Sequence, residues 1–352
     1  MAVRVDTPSE EMLKARLRNG GVISPRVRVS EMQRARLLGA AVLVVEELGW
    51  SRVTVAGIAA RARVSRRTFY DLFADREDCL LAVCEDTSSR IATEIVAASA
   101  GGHKNLAWRE RVRTGLWVIL SFLDREPELA RFCVVQSTRG GRRVLEWREA
   151  LLSRLTDVVQ QGALQGGARG AQVPSLTAEG SVGAVLAILH RRLSGADECE
   201  PLTGLLGSLM SLIVLPYQGA AAARSERTRP IPSPVAKATS SARAASNSYR
   251  GGHDPLRDIP MRLTYRTALV LQAVAEYPGA SNRAVGEAAD IYDQGQISKL
   301  LGRLEGLGLI ENTSGNDHKP TGEPNAWRLT RLGERVTQQL SLNSHLQQQA
   351  VP

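Results

Sequence analysis

The stretch ARVSRRTFYDLFADRE, Ala62 to Glu77, sets Arg66 and Arg67 directly behind Ser65 and ahead of Thr68, Phe69 and Tyr70. A serine before a helical run reads as an N-cap, so the two guanidinium groups stand at the open end of a short helix. Groups of that kind can take a phosphate or the edge of a guanine, and the free N–H groups of a helix start favour an anion. The helix before it, Val55–Ala62 behind a Thr54 cap, gathers Val55, Ile58, Ala59 and Ala62 on one apolar face. Small Ala59 and Ala60 let two helices approach closely, and Val64 plugs the turn. This is the helix-turn-helix arrangement, in which the second helix enters a major groove about 12 Å wide. Phe69 and Phe73 read as the core that holds the helix down. The competing reading of the same residues is a solvated helical hairpin with chance basic side chains.

A second stretch, DQGQISKLLGRLEGLGLIE, Asp293 to Glu311, repeats the arrangement. Gln294, Gln296, Ser298, Lys299 and Arg303 fall on its polar face, and Ile297, Leu300, Leu301 and Leu304 form the buried stripe. A turn at GLGLI leads to a short strand at Leu309–Glu311. After a Gly/Pro/Asn-rich loop to Asn325, Trp327 and Leu329 alternate with polar residues as in a half-buried strand. His318 and Lys319 lie near the tip of that loop.

Between these stretches the spacing predicts helices from Asp78 to about Ala98, Leu106 to Asp124, Glu128 towards Ser137, Arg142 to Gln165, Thr177 to Leu193 and Pro201 to about Tyr217. Met1 to Val29 is mixed and reads as a flexible basic arm. Residues 219–260 are rich in Ala, Ser, Pro and Arg without apolar periodicity, and read as a disordered basic linker. The expected organisation is therefore an arm (1–29), a helix-turn-helix domain (30–85), a helical domain (86–218), the linker, a small α+β domain (261–341) and a tail (342–352). The fold class is all-α with that α+β appendage.

Composition narrows the function. The chain has 352 residues, a formal net charge of +9, 43% hydrophobic residues and only 4% aromatics, so its cores are Ala/Leu/Val-rich and its balance suits an anionic partner. Cys79, Cys84, Cys133 and Cys199 lie far apart and read as reduced thiols, with no zinc spacing. No apolar run is long and uninterrupted enough to suggest a bilayer span, so no membrane partner is expected. No phosphate loop, nucleophile elbow, H-E-x-x-H or dinucleotide fingerprint stands in its strand–turn–helix context. Neither an enzyme nor a cofactor or metal is expected.

The segment VTVAGIAARARVSRRTFYDLFADREDCLLAV resembles the amino-terminal reader of the TetR family of bacterial repressors through Thr54, Ile58, Ala59, Ala62, Val64, Ser65, Thr68, Tyr70, Phe73 and Leu80. The resemblance implies DNA contacts from Thr54, Ser65, Arg66, Arg67, Thr68, Tyr70 and Arg76, the last standing where the family has a lysine. Arg63 and Arg67 depart from the pattern at positions where glycine is common, and Arg63 costs strain if its φ is positive. The region from Thr264 to Val336 resembles a MarR-type winged helix, which implies DNA contacts from Gln294, Gln296, Ser298, Lys299, Arg303, His318 and Lys319. Many winged helices bind protein instead.

By the TetR resemblance, residues 86–218 form a ligand-binding and dimerisation domain. Trp108, Trp117, Phe122, Phe132 and Trp147 are its candidate pocket residues, and Leu205, Leu209, Leu212 and Ile213 its candidate homodimer interface. The expected function is a cytoplasmic, nucleoid-associated transcriptional regulator, a ligand-responsive repressor with two kinds of DNA-reading unit and double-stranded DNA and a small-molecule effector as partners. A sequence-tolerant architectural DNA-binding protein and a regulator whose winged helix docks a protein stay open as alternatives.

Overall fold

A computed structural model describes residues 25–100, 107–165, 173–195, 200–232, 264–314 and 325–342. The chain packs as two compact units, one drawn from Met1–Leu37, Ala59–Leu72 and Asn247–Pro352, the other from Leu38–Ile58 and Phe73–Ser246.

Pro25, the first residue of α1 (Pro25–Leu48), needs no N–H partner there and pre-sets a helical φ. Gly49 stops the helix at φ 75°, its N–H donating to the Val45 carbonyl at 2.8 Å. Thr54 caps α2 (Val55–Ala62) by accepting from Gly57 N–H at 3.0 Å, and Ser65 caps α3 (Arg66–Leu72) by accepting from Thr68 N–H at 3.0 Å. These ends fall where capping chemistry predicts them.

The second unit is helical. From Arg76 onward its α-helices are α4 (Arg76–Ala100), α5 (Trp108–Arg125), the single turn α6 (Pro127–Ala130), α7 (Arg142–Gln165), α8 (Leu176–Ser194) and α9 (Leu206–Thr228). Beyond α6 the chain widens into a π-helical turn at Arg131–Val135 and then tightens into a 3-10 turn at Gln136–Arg139. Trp108 is fully buried, donates Nε1–H to the Val158 carbonyl at 2.8 Å and stacks edge-on to Tyr217 at 5.4 Å. A Cβ at Gly162 would meet its ring at 2.5 Å, so only glycine lets α7 pass so close.

Helix α9 departs most from expectation. Gly219 has φ 81° and ψ −179°, which breaks the rod into two arms, and a Cβ on Gly207 would lie 3.0 Å from the Glu226 carbonyl oxygen. The second arm therefore folds back beside the first. Residues 220–228, expected to begin the linker, are helical and carry fully buried Glu226. Leu202–Thr228 is apolar enough in composition for a membrane span, but the break at Gly219 means that no straight rod of that length exists.

In the first unit, the chain from Thr264 folds into α10 (Tyr265–Glu276), α11 (Asn282–Ala288), α12 (Gln294–Gly306), β1 (Ile310–Asn312), β2 (Trp327–Leu329) and α13 (Arg331–Leu342). The strands pair antiparallel, Ile310 with Leu329 and Asn312 with Trp327, and Ala280 bridges Trp327 from outside. Thr264, Ser281 and Asp293 cap the three helices through side-chain acceptors. Leu271, Val274, Val285, Ile297, Leu301, Leu304, Leu309 and Trp327 form the core, and Val29, 3% exposed, joins it with Met32 of α1 packed alongside. Val29, the last residue of the expected arm, is thus a core residue.

Candidate nucleic-acid interface

The α2–turn–α3 segment orients its polar side chains through its apolar ones. Ile58, Ala59, Ala62, Val64, Phe69 and Phe73 are all buried, which leaves Arg66, Arg67 and Tyr70 facing outward. Tyr70 is 58% exposed, and the Phe69 ring meets its edge at 5.5 Å, fixing its direction. Ser65 Oγ also shares a 2.8 Å hydrogen bond with Thr68 Oγ1, so these two side chains set the helix start as well as facing out. Thr54 is exposed but committed to its cap. Arg76, expected to take a phosphate, gives one nitrogen to the Val53 carbonyl at 2.7 Å and so braces the loop before α2. Arg63 holds φ 54° in the turn, the strained conformation that its position implied. Arg61 and Arg63 are exposed as well and extend the basic surface beyond the residues that the resemblance implied.

On α12, Gln294, Gln296, Ser298, Lys299 and Arg303 are all exposed, while Ile297, Leu301 and Leu304 are buried. Two of these polar residues are held by neighbours. Gln296 Oε1 accepts from Arg266 Nη1 at 3.0 Å, and Ser298 Oγ accepts from Asn282 Nδ2 at 2.9 Å. Asn282 Oδ1 in turn accepts from Trp327 Nε1 at 2.6 Å and Asn325 Nδ2 at 3.2 Å, tying α11, α12 and the β2 end of the loop together. Sequence reasoning passed over Arg266 and Asn282; a lone polar residue at a helix start carries no signal of such a role. Carboxylates stand close by: Asp293 caps α12, and the Tyr292 hydroxyl is hydrogen bonded to Asp290, which pushes its pKa up. The expected contacts His318 and Lys319 lie outside the described residues.

The helical unit redistributes the other expected sites. Trp108, Phe122 and Phe132 are buried among core residues, and Trp117 and Trp147 are half-buried. None of the five lines the groove of about 1020 Å³ between α7 and α8, whose walls include Arg148, Leu152, Asp157, Val182, Leu186 and His190. Of the expected interface residues, Leu209 and Ile213 are 2% and 4% exposed and pack inside their own chain. Leu205 and Leu212 are half-buried. Among the described residues, no three His, Cys, Asp or Glu side chains gather as they would around a metal ion.

Residues 37–83 match the family of bacterial regulatory proteins, tetR family. The match starts in α1, includes all of α2 and α3 and ends in α4, so the similarity covers the helix-turn-helix and the helices that flank it. No curated protein matches the chain. Among solved structures, the fatty acid degradation regulator FadR from Bacillus halodurans is 19% identical over 52% of this chain and 94% of its own, with a TM-score of 0.45. A TetR-like transcriptional regulator from Rhodococcus sp. RHA1 is 21% identical over 53% and 97%, with a TM-score of 0.44. FadR from Bacillus subtilis in complex with stearoyl-CoA is 19% identical over 51% and 96%, with a TM-score of 0.40.

Proposed function

We propose, on the premise of the tetR-family similarity at residues 37–83, that the chain is a sequence-specific DNA-binding regulator, acting as a repressor relieved by a small molecule. The observation that carries this reading is the outward presentation of Arg66, Arg67 and Tyr70 on a helix whose Phe69 is fully buried. The helix can enter a groove only with those side chains leading. The carboxy-terminal part is, in the same proposal, a winged helix with α12 as a second reader. Its support is the exposed row Gln294, Gln296, Ser298, Lys299 and Arg303 above a buried stripe, with a two-stranded hairpin beside it.

The chain acts as a homodimer in this reading, since a reader of this type takes two half-sites related by a two-fold axis. The burial of Leu209 and Ile213 favours α8 for the contact. Leu176 is 72% exposed there, and Gly180 and Gly183 meet nothing where a Cβ would stand.

Selection of bound DNA from a random pool tests the function. Full-length protein should enrich a palindrome, and Arg66→Ala should weaken binding to it by about 1–3 kcal/mol if Arg66 reads a base. Enrichment of no sequence, with binding that persists on any duplex, overturns specific reading in favour of the architectural role.

A further inference from the structure

Gln296 stands in the polar row of α12, yet its side-chain amide is engaged at both ends. Its Nε2 donates to Asp293 Oδ2 at 3.3 Å, and its Oε1 accepts from Arg266 Nη1 at 3.0 Å. Asp293 also takes the Gln296 backbone N–H on Oδ1 at 2.9 Å, so one carboxylate fixes main chain and side chain together. A glutamine reads adenine by offering the oxygen and nitrogen of its amide side by side to one base edge. Here those two atoms are turned to two protein partners, and what the pair presents instead is the guanidinium of Arg266. That residue is exposed, at the second position of α10. Among the described residues its acceptor is Gln296, and no carboxylate pairs with it. A guanidinium held at Nη1 keeps Nε–H and Nη2–H, parallel donors along one edge of a rigid plane, for an outside acceptor pair. Asp293 draws on the Gln296 amide N–H and makes Oε1 a stronger acceptor, which tightens the hold. An arginine fixed before binding gives up less rotamer freedom when it docks.

We propose that Arg266 is a guanine-reading residue of the carboxy-terminal unit, with Gln296 as its positioning residue. The Nε–H and Nη2–H edge matches O6 and N7 of a guanine in the major groove. The bond to Gln296 brings this edge to the first turn of α12, the end of a recognition helix that meets base edges. A phosphate contact needs only the charge, which a mobile side chain supplies; the chain Asp293–Gln296–Arg266 fixes a plane as well. Gln296 thereby acts through Arg266 and not as a reader in its own right. The role rests on the reading of α12 as a second DNA-reading helix.

The test is selection of bound DNA from a random pool with full-length wild type, Arg266→Ala, Arg266→Lys and Gln296→Ala, followed by affinities on the selected duplex with single base pairs exchanged. The palindrome of the amino-terminal reader, enriched by every variant, is the internal control. Wild-type protein should also enrich a second motif with a fixed guanine, and exchange of that G·C pair for A·T should weaken binding by about tenfold or more. Arg266→Lys keeps the charge but not the fork, so it should bind the exchanged duplex as the wild type does and retain a preference of about twofold or less. Gln296→Ala should weaken the preference at the same base pair. A guanine preference that survives Arg266→Lys, or a second motif that Arg266→Ala leaves unchanged, overturns the reading role of Arg266. Loss at a different base pair in Gln296→Ala makes Gln296 a reader itself and overturns its positioning role. A second motif without a fixed guanine overturns the proposal while α12 remains a reader. A palindrome with no second motif in the wild type overturns the reading of α12 as a second reader, and the role of Arg266 with it.

Discussion

Arg63 shows how one residue can serve two opposed ends. It sits in the turn between α2 and α3 at φ 54°, where its Cβ crowds the backbone at a cost of about 1 kcal/mol or more relative to glycine. The sequence already raised this, because an arginine stood where the resembling family turns on glycine. What the residue adds is an exposed positive charge beside the candidate DNA surface. Arg63→Gly should therefore raise the Tm by about 2–4 °C, measured by thermal unfolding. The same variant should bind DNA more weakly, with the salt slope reduced by about 0.9 if the guanidinium neutralises one phosphate. A less stable variant would show instead that the arginine side chain makes contacts that outweigh the strain.

At the scale of elements, what the sequence showed depends on whether an element is held by periodicity or by distant partners. The caps at Thr54 and Ser65 and the apolar faces of α2 and α12 are local, and they were legible. The return arm of α9 was not, because GAAAARSERT has no apolar stripe and its anchor lies on α5. Glu226 is buried against Arg109 and Arg113, Arg113 Nη2 also donates to the Pro230 carbonyl at 2.9 Å, and Arg229 grips Glu110 at 2.6 and 2.9 Å. The network joining Asn282, Ser298 and Trp327 escaped for the same reason. Removing one member of a buried ion pair strands the other, so Glu226→Ala should destabilise the helical unit by about 3–5 kcal/mol, read from denaturant unfolding. If the cost is under about 1 kcal/mol, the arm is not held by this cluster.

The same cluster makes a pH prediction. The Arg229 hydrogen bonds hold Glu110 below its ordinary pKa, so its stabilising contribution is complete above the unfolded value of about 4.3 and is lost as pH falls through the lower folded value. Glu110→Gln should lower the Tm at neutral pH and flatten its decline below about pH 4.3. A parallel acid limb in the variant would remove Glu110 from the account.

At the scale of the whole molecule, a formal charge of +9 lets the chain bind any duplex to some degree, so affinity alone does not say which surfaces engage. Salt dependence separates them. Each phosphate neutralised adds about 0.9 to the slope of log K against log salt. Lys299 and Arg303 are exposed on α12, but Asp290 and Asp293 stand at its start and weaken the local field. Val29 and Met32 of α1 pack onto the core behind α12, so that core meets the amino-terminal helix by contact as well as along the chain. If α12 engages DNA, Lys299→Ala with Arg303→Ala should reduce the slope by about 2 per chain and leave the pool-selected palindrome of the amino-terminal reader unchanged. If slope and affinity both stay as in the wild type, α12 does not touch DNA, and its exposed polar row is a surface for a protein partner.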